Sequence, residues 1–178
     1  MMSLMGPGLF EQALHDSQAI EIHMDEVRFV NFAQTSIRCV GTARLNGCTA
    51  VALASPLGAI LAHIPPHPNR DCNDPYAGDR HVEGKMKEFI SLYCQHQDFF
   101  PAGMTTWVVS PMYQGKIALP DHRDIIERTL QEAGLASGDS TYIVVRSTRP
   151  RGPGKGTVFI DARKVGPLIY VEDRCINF

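Results

Sequence analysis

The sequence is short of the features that mark the commonest metal, disulfide and charged-partner proteins. Its five cysteines (Cys39, Cys48, Cys72, Cys94 and Cys175) are odd in number and irregularly spaced, with no Cys-x-x-Cys pair. Such spacing favours neither a disulfide framework nor a zinc ribbon, and it fits free thiols in a reducing compartment. A formal net charge of −2 gives no basic surface for nucleic acid or an anionic membrane. The longest apolar stretch, Ala50 to Ile64, is broken by Ser55, Pro56 and Gly58, too short a run to span a bilayer. The first residues lack the charged start and apolar run of a secretory signal. The expectation is a soluble, cytoplasmic protein, and the oligomeric state is left open. No internal repeat or linker divides the 178 residues, so one domain over 1–178 is expected.

What is present is a core-forming composition, 44% hydrophobic and 20% charged, and a dense run of short strand patterns. Leu9–Leu14 reads as a short helix. Ala19–Met24 alternates Ile20, Ile22 and Met24 against Glu21 and His23, and Val27–Phe32 follows after an Asp25-Glu26 turn. Ile37–Ala43, Cys48–Ala54 and Ala59–Ile64 complete a set of strands joined by turns, which predicts antiparallel pairing. In Cys48–Ala54, Thr49, Val51 and Leu53 share one face, and Cys48, Ala50, Ala52 and Ala54 the other. The spacing of Val82, Met86, Phe89, Ile90 and Tyr93 predicts an amphipathic helix over 81–99. Thr105–Ser110 is a strand. Pro120 opens a second helix that stops at Gly134, with Ile126, Leu130 and Ala133 on its buried face. Thr141–Ser147 and Thr157–Ala162 form a last strand pair, and Leu168–Val171 one more. The pattern predicts an α+β fold, a central antiparallel or mixed β-sheet or β-sandwich flanked by helices.

One set of residues carries chemistry. Cys48 follows the turn Leu45-Asn46-Gly47, Thr42 lies six positions before it, and His63 closes the next apolar run fifteen residues on. A cysteine nucleophile needs a base, and the base a group that fixes its tautomer. A hairpin between Cys48–Ala54 and Ala59–Ile64 returns His63 to Cys48, where an imidazole can form an ion pair with the thiolate. Thr42 can accept from the other ring nitrogen, and Gly47 leaves the backbone open for an oxyanion hole. Asn46 and Gly47 beside the sulfur, with Asn69 and Arg70 in the Pro-rich loop from Pro65 to Arg80, are the candidate substrate contacts. The bland alternative is a small buried thiol beside a strand-end histidine.

Leu45-Asn46-Gly47-Cys48 is similar to the Leu-Ser-Gly-Cys motif of the cytotoxic necrotizing factor-type deamidase toxins. Thr42 and the Ala62-His63-Ile64 segment resemble the corresponding stretches of the chemoreceptor glutamine deamidase CheD. The likeness covers residues 35 to 68, and Asn46 departs from the toxins' serine. It implies a cysteine glutamine deamidase fold and a hydrolase in which Cys48 attacks a carboxamide through a thioester, with His63 as acid and base and Thr42 orienting it. The implied partner is a glutamine-bearing protein or a small-molecule amide or ester. Two other readings stay open: a cysteine-assisted tailoring enzyme on a small (thio)ester or amide, and a non-catalytic binding domain on the same fold.

Nothing in the pattern requires a cofactor. His63, His67, Asp71 and Cys72 are metal-ligand types, but Pro65, Pro66 and Pro68 forbid a helical His-x-x-x-His face. Arg149-Pro150-Arg151-Gly152-Pro153-Gly154-Lys155-Gly156 lacks the Gly-Lys-Ser/Thr ending of a phosphate loop and reads as a basic turn, with Arg146, Arg149, Arg151 and Lys155 able to attract an acidic substrate or partner. Trp107, Phe89, Tyr93, Phe99 and Phe100 read as core, Cys39 and Cys94 as buried thiols, and Cys72 as an exposed one.

Overall fold

The computed structural model describes residues 6–68 and 73–178. Its strands form two sheets. One contains β1 (Ala19–Glu21), β3 (Cys39–Thr42), β9 (Val158–Asp161), β10 (Leu168–Val171) and β11 (Arg174–Cys175), in that order. The other runs β2 (Val27–Asn31), β5 (Gly58–Ile64), β4 (Thr49–Ala54), β6 (Thr105–Tyr113) and β7 (Lys116–Ile117), with β8 (Ala136–Ile143) also on β6. The α+β class expected from the sequence is the class observed.

The alternation in β4 and β5 explains the layering. Cys48, Ala50, Ala52 and Ala54 join Ala59 and Leu61 in the core between the sheets, facing Val40, Val158 and Ile160 of the first sheet. Small residues on this face let the sheets approach closely. Val51, Leu53, Ile60, Ala62 and Ile64 point the other way, onto helices α2 (Ala77–Gln95) and α3 (Pro120–Glu132). Val82, Met86 and Phe89 of α2 are fully buried there, each stabilising the fold by about 1.5–3 kcal/mol. The short helix α1 (Leu9–His15) covers the outer side of the first sheet through Phe10 and Ala13.

Several expectations need correction. Leu45-Asn46-Gly47 is not a hairpin turn, because β3 and β4 lie in different sheets and the segment crosses between them. Arg44, not Asn46, takes positive φ there (61°), together with Gly47 (114°). Pairing is mixed, one of the two arrangements expected for the sheet, but the early strands are not all antiparallel: β1·β3 is parallel, as is β6·β8. The strand expected at Thr141–Ser147 runs over Ala136–Ile143, and it does not pair with the one at 157–162. It lies parallel to β6, while Val158–Asp161 pairs with β3 and β10. Parallel neighbours need a crossover, and α3 supplies it. Ser137 and Gly138 hide this strand from an alternation test, and Gly138 packs closely on its partner strand: a Cβ there would lie 3.0 Å from the Trp107 ring.

Helix α2 starts at Ala77 rather than His81. Gly78 lets its first turn pass the Pro66 carbonyl, which a Cβ would approach to 2.5 Å. It ends at Gln95, where His96 stacks on Phe29, and residues Gln97–Phe99 form a separate 3-10 turn. Cys94, expected to be buried, is exposed on this helix. Phe89 and Phe100 are buried as expected, with Tyr93, Phe99 and Trp107 packed at the core margins.

Candidate functional site

The register of the central hairpin places the candidate residues. Ala50 of β4 is directly opposite His63 of β5. Cys48, two residues before Ala50, shares its face, so Cys48 and His63 are diagonal neighbours on the inner face of the sheet. Diagonal positions sit about 7–8 Å apart along the backbone, within reach of longer side chains. Thr42, at the end of β3 in the opposite sheet, closes the third side. Thr42 and His63 are buried, and Cys48 keeps 6% of its surface exposed.

Hydrogen bonds fix the imidazole. Thr42 Oγ1 lies 2.7 Å from the Ile22 carbonyl and 2.6 Å from His63 Nδ1. The carbonyl can only accept, so the single hydroxyl hydrogen of Thr42 goes to Ile22. Thr42 Oγ1 must then accept from His63 Nδ1–H. This tautomer leaves a lone pair on Nε2, and Nε2 is buried with no hydrogen-bond partner among the described residues. The His63 main chain is pinned as well: its N–H donates to the Glu26 carbonyl (3.0 Å) and its carbonyl accepts from Asp25 N–H (2.8 Å). The Asp25 carboxylate is held in turn by His81 at 2.5 Å.

Burial dominates the electrostatics. It pushes the His63 imidazole down to about 4, with the Arg44 charge adding to the effect and Asp25 opposing it. The Cys48 thiol is pushed up to about 11, again by burial, against a main-chain hydrogen bond from Asn46 that favours the thiolate. At neutral pH the resting pair is therefore thiol and neutral imidazole, not the ion pair expected from proximity alone.

The segment leading to Cys48 is clamped from the C-terminal half of the chain. Tyr142, on the inner face of β8, accepts from Gly47 N–H at 2.8 Å and donates to the Cys48 carbonyl at 2.6 Å. The Asn46 carboxamide makes two 3.0 Å bonds with the main chain of Val145, extending the edge of β8. Leu45 N–H donates to the Gly156 carbonyl (2.9 Å), and Arg151 donates to the Leu45 carbonyl (2.6 Å). Glu172 holds Arg151 at 2.9 Å and the Gly156 amide at 2.8 Å.

Of the expected site residues, Thr42 meets His63 across the two sheets, and Cys48 is the diagonal neighbour of His63 in the second sheet, with no hydrogen bond between its sulfur and the imidazole among the described residues. Asn46 and Gly47 are beside the sulfur, but the Asn46 carboxamide and the Gly47 N–H are engaged by Val145 and Tyr142. Asn69 and Arg70, like Asp71 and Cys72, lie outside the described residues. Sequence reasoning missed Tyr142, Arg151 and Glu172 as supports of the cysteine segment. The glycine-rich basic turn was the one visible signal, since Gly156 has φ of +65° and a Cβ there would meet the Leu45 carbonyl at 2.7 Å.

Among the described residues no group of three histidine, cysteine or acidic side chains is arranged to hold a metal ion, and no helix is long and apolar enough to cross a membrane. No family model matches the chain, and a search of curated proteins returned no match.

Proposed function

We propose that the protein is a cysteine-dependent amidohydrolase with Cys48 as nucleophile and His63 as general base, related in fold and chemistry to the CheD and necrotizing-factor deamidases. The observation that carries this reading is the Thr42–His63 contact. A threonine that has already given its hydrogen to Ile22 leaves the imidazole no other tautomer, and the Nε2 lone pair, without a partner among the described residues, belongs to the residue diagonal to Cys48 across the β4–β5 pair.

The neutral resting pair sets the order of events. As a carboxamide enters, the Cys48 thiol passes its proton to His63 Nε2 and the sulfur attacks the carbonyl carbon. The C=O π pair moves onto oxygen, and main-chain amides near the cysteine stabilise that charge. Collapse of the tetrahedral intermediate breaks the C–N bond, and the imidazolium proton goes to the departing nitrogen, releasing ammonia. His63 then takes a proton from water, hydroxide adds to the thioester, and the thiolate leaves and recovers its proton from the imidazolium. The product is the carboxylate. Thr42 contributes by stabilising the imidazolium through Nδ1–H, as the third member of a triad does.

The test is ammonia release from glutamine peptides by the wild type and Cys48→Ser, with hydroxylamine added to trap the thioester as a hydroxamate. Release that depends on Cys48, with hydroxamate formed, supports the reading. A wild type that is inert toward both peptides and small amides removes it.

A further inference from the structure

The basic turn that the hydrolase reading leaves unused borders an open cavity of about 360 Å³. Its floor is Ile143 and Val145, at and just beyond the end of β8, and its walls are Arg149, Arg151 and Lys155 with Glu172. Ile143 is 62% exposed, a large apolar side chain open to an occupant. The one acid of the lining is already committed to Arg151 and to the Gly156 amide. Among the described residues Arg149 has no acidic partner, and Lys155 has only a loose 3.9 Å approach to Glu172, so both present positive charge to the cavity. Arg174, which donates to the Thr141 carbonyl at 3.1 Å, and Arg146, over the Tyr113 ring, add positive charge around the same strand end. The chain as a whole is slightly acidic, so this concentration of cations is a local feature.

The cavity is tied by direct contacts to Leu45 and Asn46, in the segment that leads to Cys48. Val145 in its floor bonds the Asn46 carboxamide, two residues from the nucleophile. Arg151 in its wall holds the Leu45 carbonyl at 2.6 Å and the Ile143 carbonyl at 2.8 Å. Two residues of extended chain span about 7 Å, so an extended segment seated here reaches the cysteine within a few residues.

We infer that this cavity is a substrate subsite for an acidic, apolar-anchored segment flanking the target glutamine of a protein substrate. The inference rests on the hydrolase reading for its link to a glutamine. An aliphatic side chain of the segment covers Ile143 and Val145, and neighbouring carboxylates meet Arg149 and Lys155. Because Arg151 belongs both to the cavity wall and to the clamp on Leu45, filling the cavity also steadies the segment that carries Cys48.

The experiment measures the binding of fluorescein-labelled short peptides by anisotropy. Each has a central glutamine flanked by leucine and either glutamates or lysines, and binding is followed over a salt series. The proteins are wild type and Arg149→Glu/Lys155→Glu, whose melting temperatures are compared to confirm folding. The glutamate peptide should bind at least about tenfold more tightly than the lysine peptide at low salt, from two ion pairs of roughly 0.7 kcal/mol each. That preference should weaken with salt and invert in the double variant. Equal binding of the two peptides, or a preference unchanged by the double variant, overturns the subsite. So does an oligonucleotide that displaces the glutamate peptide while the leucine can be replaced by glycine without loss. Binding is read without turnover. A glutamate peptide that binds as expected but releases no ammonia therefore leaves the subsite standing and removes the hydrolase reading.

Discussion

Thr42 Oγ1 and His63 Nδ1 lie 2.6 Å apart, in opposite sheets of the fold, with the threonine proton already given to Ile22. That contact joins the two sheets at the point where Cys48 enters, and it decides which imidazole nitrogen is free. Thr42→Val keeps the shape and removes the acceptor, stranding a buried N–H. Stability should fall by about 1–3 kcal/mol, with a large loss of ammonia release, whereas Thr42→Ser should retain most of both. Denaturant melts and the activity assay on the two variants check this. Equal behaviour of valine and serine would contradict the role.

Burial of His63 has a consequence for stability against pH. Its folded pKa is pushed down to about 4 from an ordinary 6.5, so between those values the unfolded chain binds a proton the folded chain does not. Its contribution is complete above about pH 6.5 and is lost as pH falls toward 4. The span corresponds to at most about 3 kcal/mol. Urea melts at pH 7 and pH 5 should show wild type losing more stability on acidification than His63→Gln. Parallel losses in the two proteins would show that His63 is not held neutral.

Tyr142 satisfies both Gly47 N–H and the Cys48 carbonyl. Tyr142→Phe leaves two polar groups of the cysteine segment without this partner and should lower stability by about 1–3 kcal/mol. The test of positioning is a cycle: the effect of His63→Ala on Cys48 alkylation should shrink in the Tyr142→Phe background. An undiminished effect would reduce Tyr142 to a stabilising role.

Asn46 gives a milder case. Asn46→Ala removes both bonds to Val145 and should destabilise the protein by about 1–2 kcal/mol. Asn46→Asp should cost at least as much, because a carboxylate cannot donate to the Val145 carbonyl. Thermal melts of the two variants decide between them.

The local layer of this structure was readable from residue pattern. Alternation in Cys48–Ala54 sorted the small inner face from the large outer one, and the spacing of Val82, Met86 and Phe89 found α2. The neighbourhood of Cys48 and His63 was legible because their segments belong to adjacent paired strands, with Ala50 opposite His63. Thr42 joins them by another route, since β3 belongs to the opposite sheet, and short-range turn chemistry cannot tell a hairpin from a crossover. The parallel pairing of β8 with β6 was hidden for a related reason, as it depends on how α3 packs and not on the strand's own composition. Tyr142 and Arg151 act on the cysteine segment from about a hundred positions away in sequence; the glycine-rich turn marks Arg151 as part of a special loop, but nothing around Tyr142 marks its role. The resting charge state depends on burial, which single-residue spacing does not report.

The most direct test of the dyad is the rate of Cys48 alkylation by iodoacetamide across pH in wild type and His63→Ala, read by peptide mass spectrometry, with Cys39, Cys94 and Cys175 as internal references. A neutral pair that exchanges its proton internally holds a pH-independent fraction of thiolate–imidazolium, which outweighs directly ionised thiolate up to the pH at which the attraction between the two charges still holds the imidazolium proton. Wild type should show a reactivity plateau that disappears only as pH falls toward about 4, then a second rise toward about 11. His63→Ala should lose the plateau and keep the alkaline rise. A single alkaline rise in both proteins would mean that His63 does not act on Cys48, and the hydrolase account would fail.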